Sequence, residues 1–156
     1  MTVRIRRAAP RDAAILRVIL HDTFASTWLP QVTPRAAARF RDEDRPAAYV
    51  ADRGLLFWVA VRDGQVVGFV DHEGDFINAL HVHSPHARKG VGAALMDHAE
   101  AEIAAAGHPS VRLETDTFNI RSQAFYAARG FVEADRYPDE EWESGLTTLL
   151  LVKPFR

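Results

Sequence analysis

The segment Leu80-His81-Val82-His83-Ser84-Pro85-His86-Ala87-Arg88-Lys89-Gly90-Val91-Gly92-Ala93-Ala94-Leu95-Met96 constrains this chain more than any other. Phe76 to Val82 alternates as a strand, and Ser84-Pro85 interrupts it because proline fixes its own φ and donates no hydrogen bond. Two glycines separated by Val91 follow, and from about Gly92 to Ala105 the apolar spacing is helical until Gly107 and Pro109 end it. Val111-Arg112-Leu113-Glu114-Thr115 then alternates again. Strand, helix and strand in that order close as a right-handed parallel crossover. Glycine lets a ligand approach the backbone, and the free N–H groups and dipole of a helix N-terminus favour negative charge. A phosphate or pyrophosphate is the expected ligand of such a loop.

The flanking segments set the rest of the architecture. Val3 and Ile5 among arginines predict a half-buried strand. Pro10-Arg11-Asp12 opens a helix running to about Phe24 to Trp28, with Ile15, Leu16, Ile19 and Leu20 on one face and Pro30 ending it. Thr33-Pro34 has the form of a cap and first-turn proline for a second helix through Phe40. Asp44 to Asp52 reads as a short helix or turn closed by Gly54. Leu56 to Val61 and Val66 to Val70 predict two strands around the Asp63-Gly64 hairpin turn. Asn119 to Arg129 predicts a short helix, and Phe131 to Arg136 and Leu146 to Val152 two closing strands. The expected fold is α/β (α+β): a mixed, mostly antiparallel twisted sheet of about seven strands with helices on both faces. No repeat, low-complexity segment or linker divides the 156 residues, which read as one domain.

Composition excludes several classes of function. Without cysteine there is no disulfide, thiolate metal site or cysteine nucleophile. A formal net charge of −2 opposes general nucleic-acid binding. No apolar run approaches the length of a membrane span, and Met1 to Arg7 lacks a signal-peptide core. A cytoplasmic location is the expectation.

A Gly-x-Gly alone is a weak signal. A triphosphate-binding P-loop needs Gly-Lys-Ser or Gly-Lys-Thr, whereas here Lys89 precedes Gly90. A dinucleotide fold wants a third glycine where Leu95 stands. A tight strand-to-helix turn without ligand is the plain alternative. The context supplies more: Leu80-x-Val82, Arg88-Lys89-Gly90-Val91-Gly92-Ala93-Ala94-Leu95, Leu113-Glu114-Thr115 and Asn119-x(4)-Ala124-Phe125-Tyr126-x(3)-Gly130-Phe131 occur in that order. Together they resemble the GNAT superfamily of acyl-CoA-dependent N-acetyltransferases. The resemblance is good over 57–152, and the N-terminal elements match it in order only.

The resemblance implies a single N-acetyltransferase domain over residues 1–156, with acetyl-CoA as cosubstrate and a small-molecule or peptide amine as acceptor. It assigns the CoA pyrophosphate to backbone N–H groups of Arg88, Lys89, Gly90, Val91, Gly92 and Ala93, with Arg88 and Lys89 adding charge. The family commonly has Gln or Arg three residues before the first glycine, where this chain has Ala87, so backbone contacts must carry more of the binding. Leu80 and Val82 are implied to pair with the pantetheine arm, the Val82 N–H polarising the thioester carbonyl as an oxyanion donor. Asn119 is implied to contact pantetheine or the loop, and it also suits the cap of its own helix. A related enzyme using another acyl-CoA or acceptor, and a non-catalytic CoA-binding module, are the rival readings.

Amine acylation needs proton handling. An alkylamine of pKa about 10.4 is nucleophilic in only roughly one molecule in 10³ at neutral pH, so a base must take its proton. By the resemblance, Tyr126 is both a CoA contact and the candidate acid for the departing thiolate, although a core tyrosine beside Phe125, or one that merely orients CoA, would look the same. Glu114, twelve residues before Tyr126, is the first candidate base, at the spacing of the glutamate that serves as base in the ribosomal-protein N-terminal acetyltransferases. His81 is the second, with His83 expected on the same strand face. His72, Glu73 and Asp75 form a polar group near the expected acceptor site, or simply a polar hairpin. His81-x-His83-x-x-His86 suggests a metal only weakly, since no carboxylate completes the pattern and Pro85 breaks it; no metal is expected. Trp28 is placed to wall an acceptor pocket, and Tyr137 to Trp142 to form a substrate loop or a solvated acidic turn. The closing strands offer an edge for a homodimer.

Overall fold

A computed structural model of the chain describes residues 2–140 and 143–156. Glu141 and Trp142, part of the expected substrate loop, lie outside the described residues. The elements run β1 (Arg4–Arg7), α1 (Ala13–Thr23), α2 (Pro34–Glu43), α3 (Arg45–Arg53), β2 (Trp58–Arg62), β3 (Gln65–Glu73), β4 (Phe76–Val82), α4 (Val91–Ala105), β5 (Ser110–Asp116), α5 (Ile120–Ala128), β6 (Val132–Pro138) and β7 (Thr147–Pro154). They form one seven-stranded sheet in the order β1-β2-β3-β4-β5-β7-β6. Among the described residues only β4 and β5 pair in parallel; the other neighbours are antiparallel.

Local chemistry explains most boundaries. Thr33 Oγ1 accepts the Ala36 N–H at 3.2 Å and Pro34 fills the first turn of α2. Asp63 and Gly64 take φ of 52° and 76°, the paired left-handed residues of a tight hairpin turn. Gly54 differs from a left-handed helix stop, with φ −53°. It opens a 3-10 turn that delays β2 to Trp58.

Apolar clusters on both sheet faces hold the layers together. Leu16, Ile19 and Val50 of α1 and α3 pack with Phe57 and Phe69 on one side. Leu95, Met96 and Ile103 of α4 pack with Val70, Val111 and Leu113 on the other. Burying side chains of this size stabilises each by about 1.5–3 kcal/mol, before the entropy of ordering the chain is counted.

Two irregularities shape the functional region. α1 does not end cleanly: Phe24–Trp28 widens into a π-type turn, where the Leu29 N–H donates to the Phe24 carbonyl at 2.9 Å. Such turns re-aim the side chains that follow, here Trp28. Secondly, β4 and β5 pair only at Phe76 with Arg112 and Ile77 with Leu113, then diverge. His83 N–H donates to Val67 O at 2.8 Å, and the β3–β4 register places Val82 opposite Gly68 and Leu80 opposite Val70. By antiparallel alternation, Leu80 and Val82 therefore turn their N–H and C=O groups away from β3, into the opening beside β5.

Candidate active site

One cleft of about 830 Å³ lies along the end of β4, between the glycine loop and α5. Leu80, Val82, Arg88, Gly90, Val91, Gly92 and Ala93 line it, and so do Asn119 and Tyr126. Lys89 is exposed and is not on its wall, which limits this side chain to long-range charge. Arg88 and Gly90 have φ of 60° and 82°, and this left-handed bend turns the loop into the first turn of α4. The first helical bond there is Ala94 N–H to Gly90 O at 3.0 Å. The N–H groups of Val91, Gly92 and Ala93, which line the cleft, thus precede the ladder and have no carbonyl of their own helix to use them, the arrangement that favours negative charge at a helix N-terminus. Ala87 also lines the cleft and offers no side-chain charge.

Tyr126 is a buried member of the core, edge-on to Phe125 and Phe131. Burial pushes its phenol well above the usual tyrosine range, so the hydroxyl keeps its proton at any ordinary pH. Asn119 spends its side-chain oxygen on α5, accepting the Ser122 N–H at 3.1 Å, and its wall position adds to that cap.

A second cavity of about 770 Å³ lies on the α1–α2 side. Trp28 and His81 line both spaces, so the two meet at these rings, 5.8 Å apart. Glu114 and Asp116 also line the second cavity, as alternate residues of β5 on one face. Glu114 accepts a short hydrogen bond from the Tyr137 hydroxyl. Asp116 accepts the Trp28 indole N–H at 2.9 Å, and burial, followed by the charges of Asp139 and Glu114, raises its carboxyl above the ordinary value. Sequence reasoning missed Asp116, although its two-residue spacing from Glu114 was the available signal.

His81 Nδ1 lies 2.8 Å from Thr23 Oγ1, and its ring stacks against Phe69. Desolvation lowers its pKa to about 4, so it is neutral at physiological pH. The other histidines stand elsewhere. The last β4 residue is Val82; His83 follows it, still bonded to Val67 of β3, with its ring 6.3 Å from that of His86, and it lines neither cavity. His86 is shifted down by desolvation and by Arg62. Among the described residues no group of three or more His, Asp or Glu side chains could hold a metal ion.

The polar group expected before β4 does not line the second cavity. A bulge between Asp71 and His72 changes the register there, and His72 goes to Glu102 of α4 at 3.4 Å. Glu73 pairs with Arg53, and Asp75 is clamped by Arg112 through two bonds of 2.9 and 3.0 Å. Buried Asp71 instead holds two residues that line this cavity, accepting from Tyr49 at 2.6 Å and Asn78 at 3.2 Å, and pairs with Arg53. No helix among the described residues is long and apolar enough to cross a membrane.

Comparison with known proteins agrees with this geometry. The IAA acetyltransferase of Azospirillum brasilense is 30% identical over 159 residues, 97% of each chain. The peptidyl-lysine N-acetyltransferase YiaC of Escherichia coli (strain K12) is 37% identical over 75 residues, 47% of this chain; that match spans about half of YiaC, 48%. The PaiA N-acetyltransferase of Thermoplasma acidophilum, solved in complex with coenzyme A, shares the fold with a TM-score of 0.78 at 18% identity, over 99% of this chain and 100% of that one. The model of the acetyltransferase (GNAT) family matches residues 16–131. With a sheet parted at the β4–β5 boundary and a glycine loop opening α4 beside it, the chain belongs to the GNAT family and is an acyltransferase enzyme.

Proposed function

We propose that the protein transfers the acetyl group of acetyl-CoA to a primary amine by direct attack. The observation that carries this reading is the meeting of the two spaces at Trp28 and His81. One space offers free backbone N–H groups and a protonated phenol; the other offers carboxylates. The residues fit the cosubstrate: the N–H groups of Val91, Gly92 and Ala93 suit its pyrophosphate, and the outward backbone of Leu80 and Val82 suits an amide-bearing arm.

In the proposed reaction the neutral amine nitrogen attacks the thioester carbon. The carbonyl oxygen gathers charge against the Val82 N–H. The C–S bond then breaks, and the sulfur receives the Tyr126 proton. The proton lost by the amine passes to Glu114, directly or through water, with neutral His81 as the alternative acceptor. Glu114 is favoured because its carboxylate lines the acceptor space and can compensate the charge of the ammonium that forms, whereas burial of His81 disfavours its charged imidazolium.

Calorimetric titration with CoA followed by thiol release from acetyl-CoA, with a panel of amines and acyl donors, tests the reading. Binding plus amine-dependent thiol release supports it; no binding at millimolar CoA overturns it. A cytoplasmic location, where acetyl-CoA is at hand, is part of this proposal. The unpaired β6 edge exposes Val132 and is the surface for the proposed homodimer, which sedimentation would test.

A further inference from the structure

We propose that the acceptor cavity takes a small primary amine attached to a flat apolar body, rather than a lysine or N-terminus within a polypeptide. This rests on the acetyl-transfer reading above. Three independent features of the cavity converge on it.

The first is its wall. Phe24 and Phe40 stack with ring centroids 3.6 Å apart and planes within 8°, and Trp28 and Phe76 face the same space. Flat aromatic surfaces favour flat apolar ligands, and an indole face also attracts a cation. A volume of about 770 Å³ is in the range of small-molecule pockets.

The second is its charge. Glu114 and Asp116 are bonded to neutral donors, the Tyr137 hydroxyl and the Trp28 indole. Among the described residues neither forms an ion pair with Arg, Lys or His, so their charge is available to a ligand cation. Arg45, the basic residue on the wall, is held by Glu43 at 2.8 Å. The carboxylates stand on β5 at the end nearer the meeting of the two spaces, because Asp116 is bonded to Trp28 itself. An ammonium drawn there comes close to the thioester, while its body lies against the aromatic wall.

The third is a strap. The Thr33 N–H donates to the Ser144 carbonyl at 3.0 Å, and Thr33 Oγ1 donates to the Glu143 carbonyl at 3.1 Å. Arg35 and Arg39 reach Glu143 at 3.5 and 3.9 Å. Val32 and Ala36 on one side of this strap, and Ser144 and Leu146 on the other, line the same cavity. An extended polypeptide leaving between the α1–α2 connection and the β6–β7 connection would have to break that backbone bridge. A compact amine would not.

The test uses the full chain, acetyl-CoA and thiol release, with 2-phenylethylamine, tryptamine, spermidine, a lysine-containing peptide and a peptide with a free N-terminus. The expected result is a kcat/KM for the two aryl amines about tenfold or more above the other three. Phe24→Leu and Phe40→Leu should each raise KM for tryptamine severalfold and leave KM for acetyl-CoA unchanged. Spermidine or a peptide equalling the aryl amines overturns the inference and leaves acetyl transfer standing. No thiol release with any amine overturns the inference together with the acetyl-transfer reading.

Discussion

The indole N–H of Trp28 donates to Asp116 Oδ2 at 2.9 Å, joining residues 88 positions apart in the chain. The bond ties the widened turn after α1 to the last residue of β5, and so holds Trp28 where the two cavities meet. It also holds a carboxylate in a desolvated place, where burial raises its pKa and the indole bond lowers it by less.

Asp116→Asn separates that cost from function. A carboxyl whose folded pKa exceeds its unfolded value destabilises the fold as pH rises through the interval between them. The amide still accepts from Trp28 but carries no charge. At pH 7 the variant should therefore melt at or above the temperature of the parent, and the advantage should vanish below about pH 3.5, under the ordinary carboxyl value. Its kcat/KM for a cationic amine should fall about tenfold or more, because the charge that draws the ammonium is gone. Calorimetry across pH with parallel thiol assays checks both, and a variant less stable at pH 7 contradicts the argument.

Tyr126→Phe removes only the hydroxyl, since the ring sits in the core between Phe125 and Phe131. Loss of a general acid lowers kcat by about a hundredfold or more. The CoA dissociation constant should stay within a factor of about two, because the proposed binding rests on backbone groups. Rapid-quench turnover and calorimetry give the two numbers. Unchanged turnover would remove Tyr126 from the reaction.

His81 should titrate near 4 in a proton NMR experiment, below the ordinary 6.5. Because the folded state binds its proton less well than the unfolded chain, stability from this group is full above 6.5 and drains as pH falls toward 4. His81→Gln should flatten that part of the acid unfolding curve. If turnover depends on an inflection near 6.5, His81 is not its source.

The parts of the site that sequence made legible are the ones with local causes. Gly90 and Pro85 punctuate the β4–α4 connection by backbone sterics, and Thr33 and Asn119 cap the helices that begin beside them. Non-local causes were not legible. Trp28 reaches Asp116 only because a π-type turn lengthens the end of α1, and nothing in Phe24-Ala25-Ser26-Thr27-Trp28 announces it. Alternation through residues 80–83 predicts His83 beside His81, and nothing local tells that His81 lines both cavities while His83 lines neither. The bulge at Asp71/His72 and the Arg112 clamp on Asp75 likewise depend on neighbouring strands, and together they remove the polar hairpin from the acceptor space.

Gly68→Ala tests whether the β3–β4 spacing serves the cleft. A Cβ on Gly68 would stand 2.8 Å from the His81 carbonyl oxygen, and 3.2 and 3.3 Å from side-chain carbons of Val91 and Leu95. The first of these is backbone, so β4 must move or the strand must strain, at a cost of about 1–3 kcal/mol in unfolding free energy. The displaced segment includes Leu80 and Val82, whose outward groups are assigned to the pantetheine arm, and α4 opens at Val91 beside the proposed pyrophosphate site. CoA affinity should therefore weaken about tenfold, whereas Gly64→Ala, in the distant hairpin with nothing within 4 Å of a Cβ, should lose stability through its φ of +76° alone. Denaturant titration and CoA calorimetry on the two variants read the difference. Equal CoA affinity in both would show that the site tolerates movement of β4, and would separate the close strand packing at Gly68 from ligand binding.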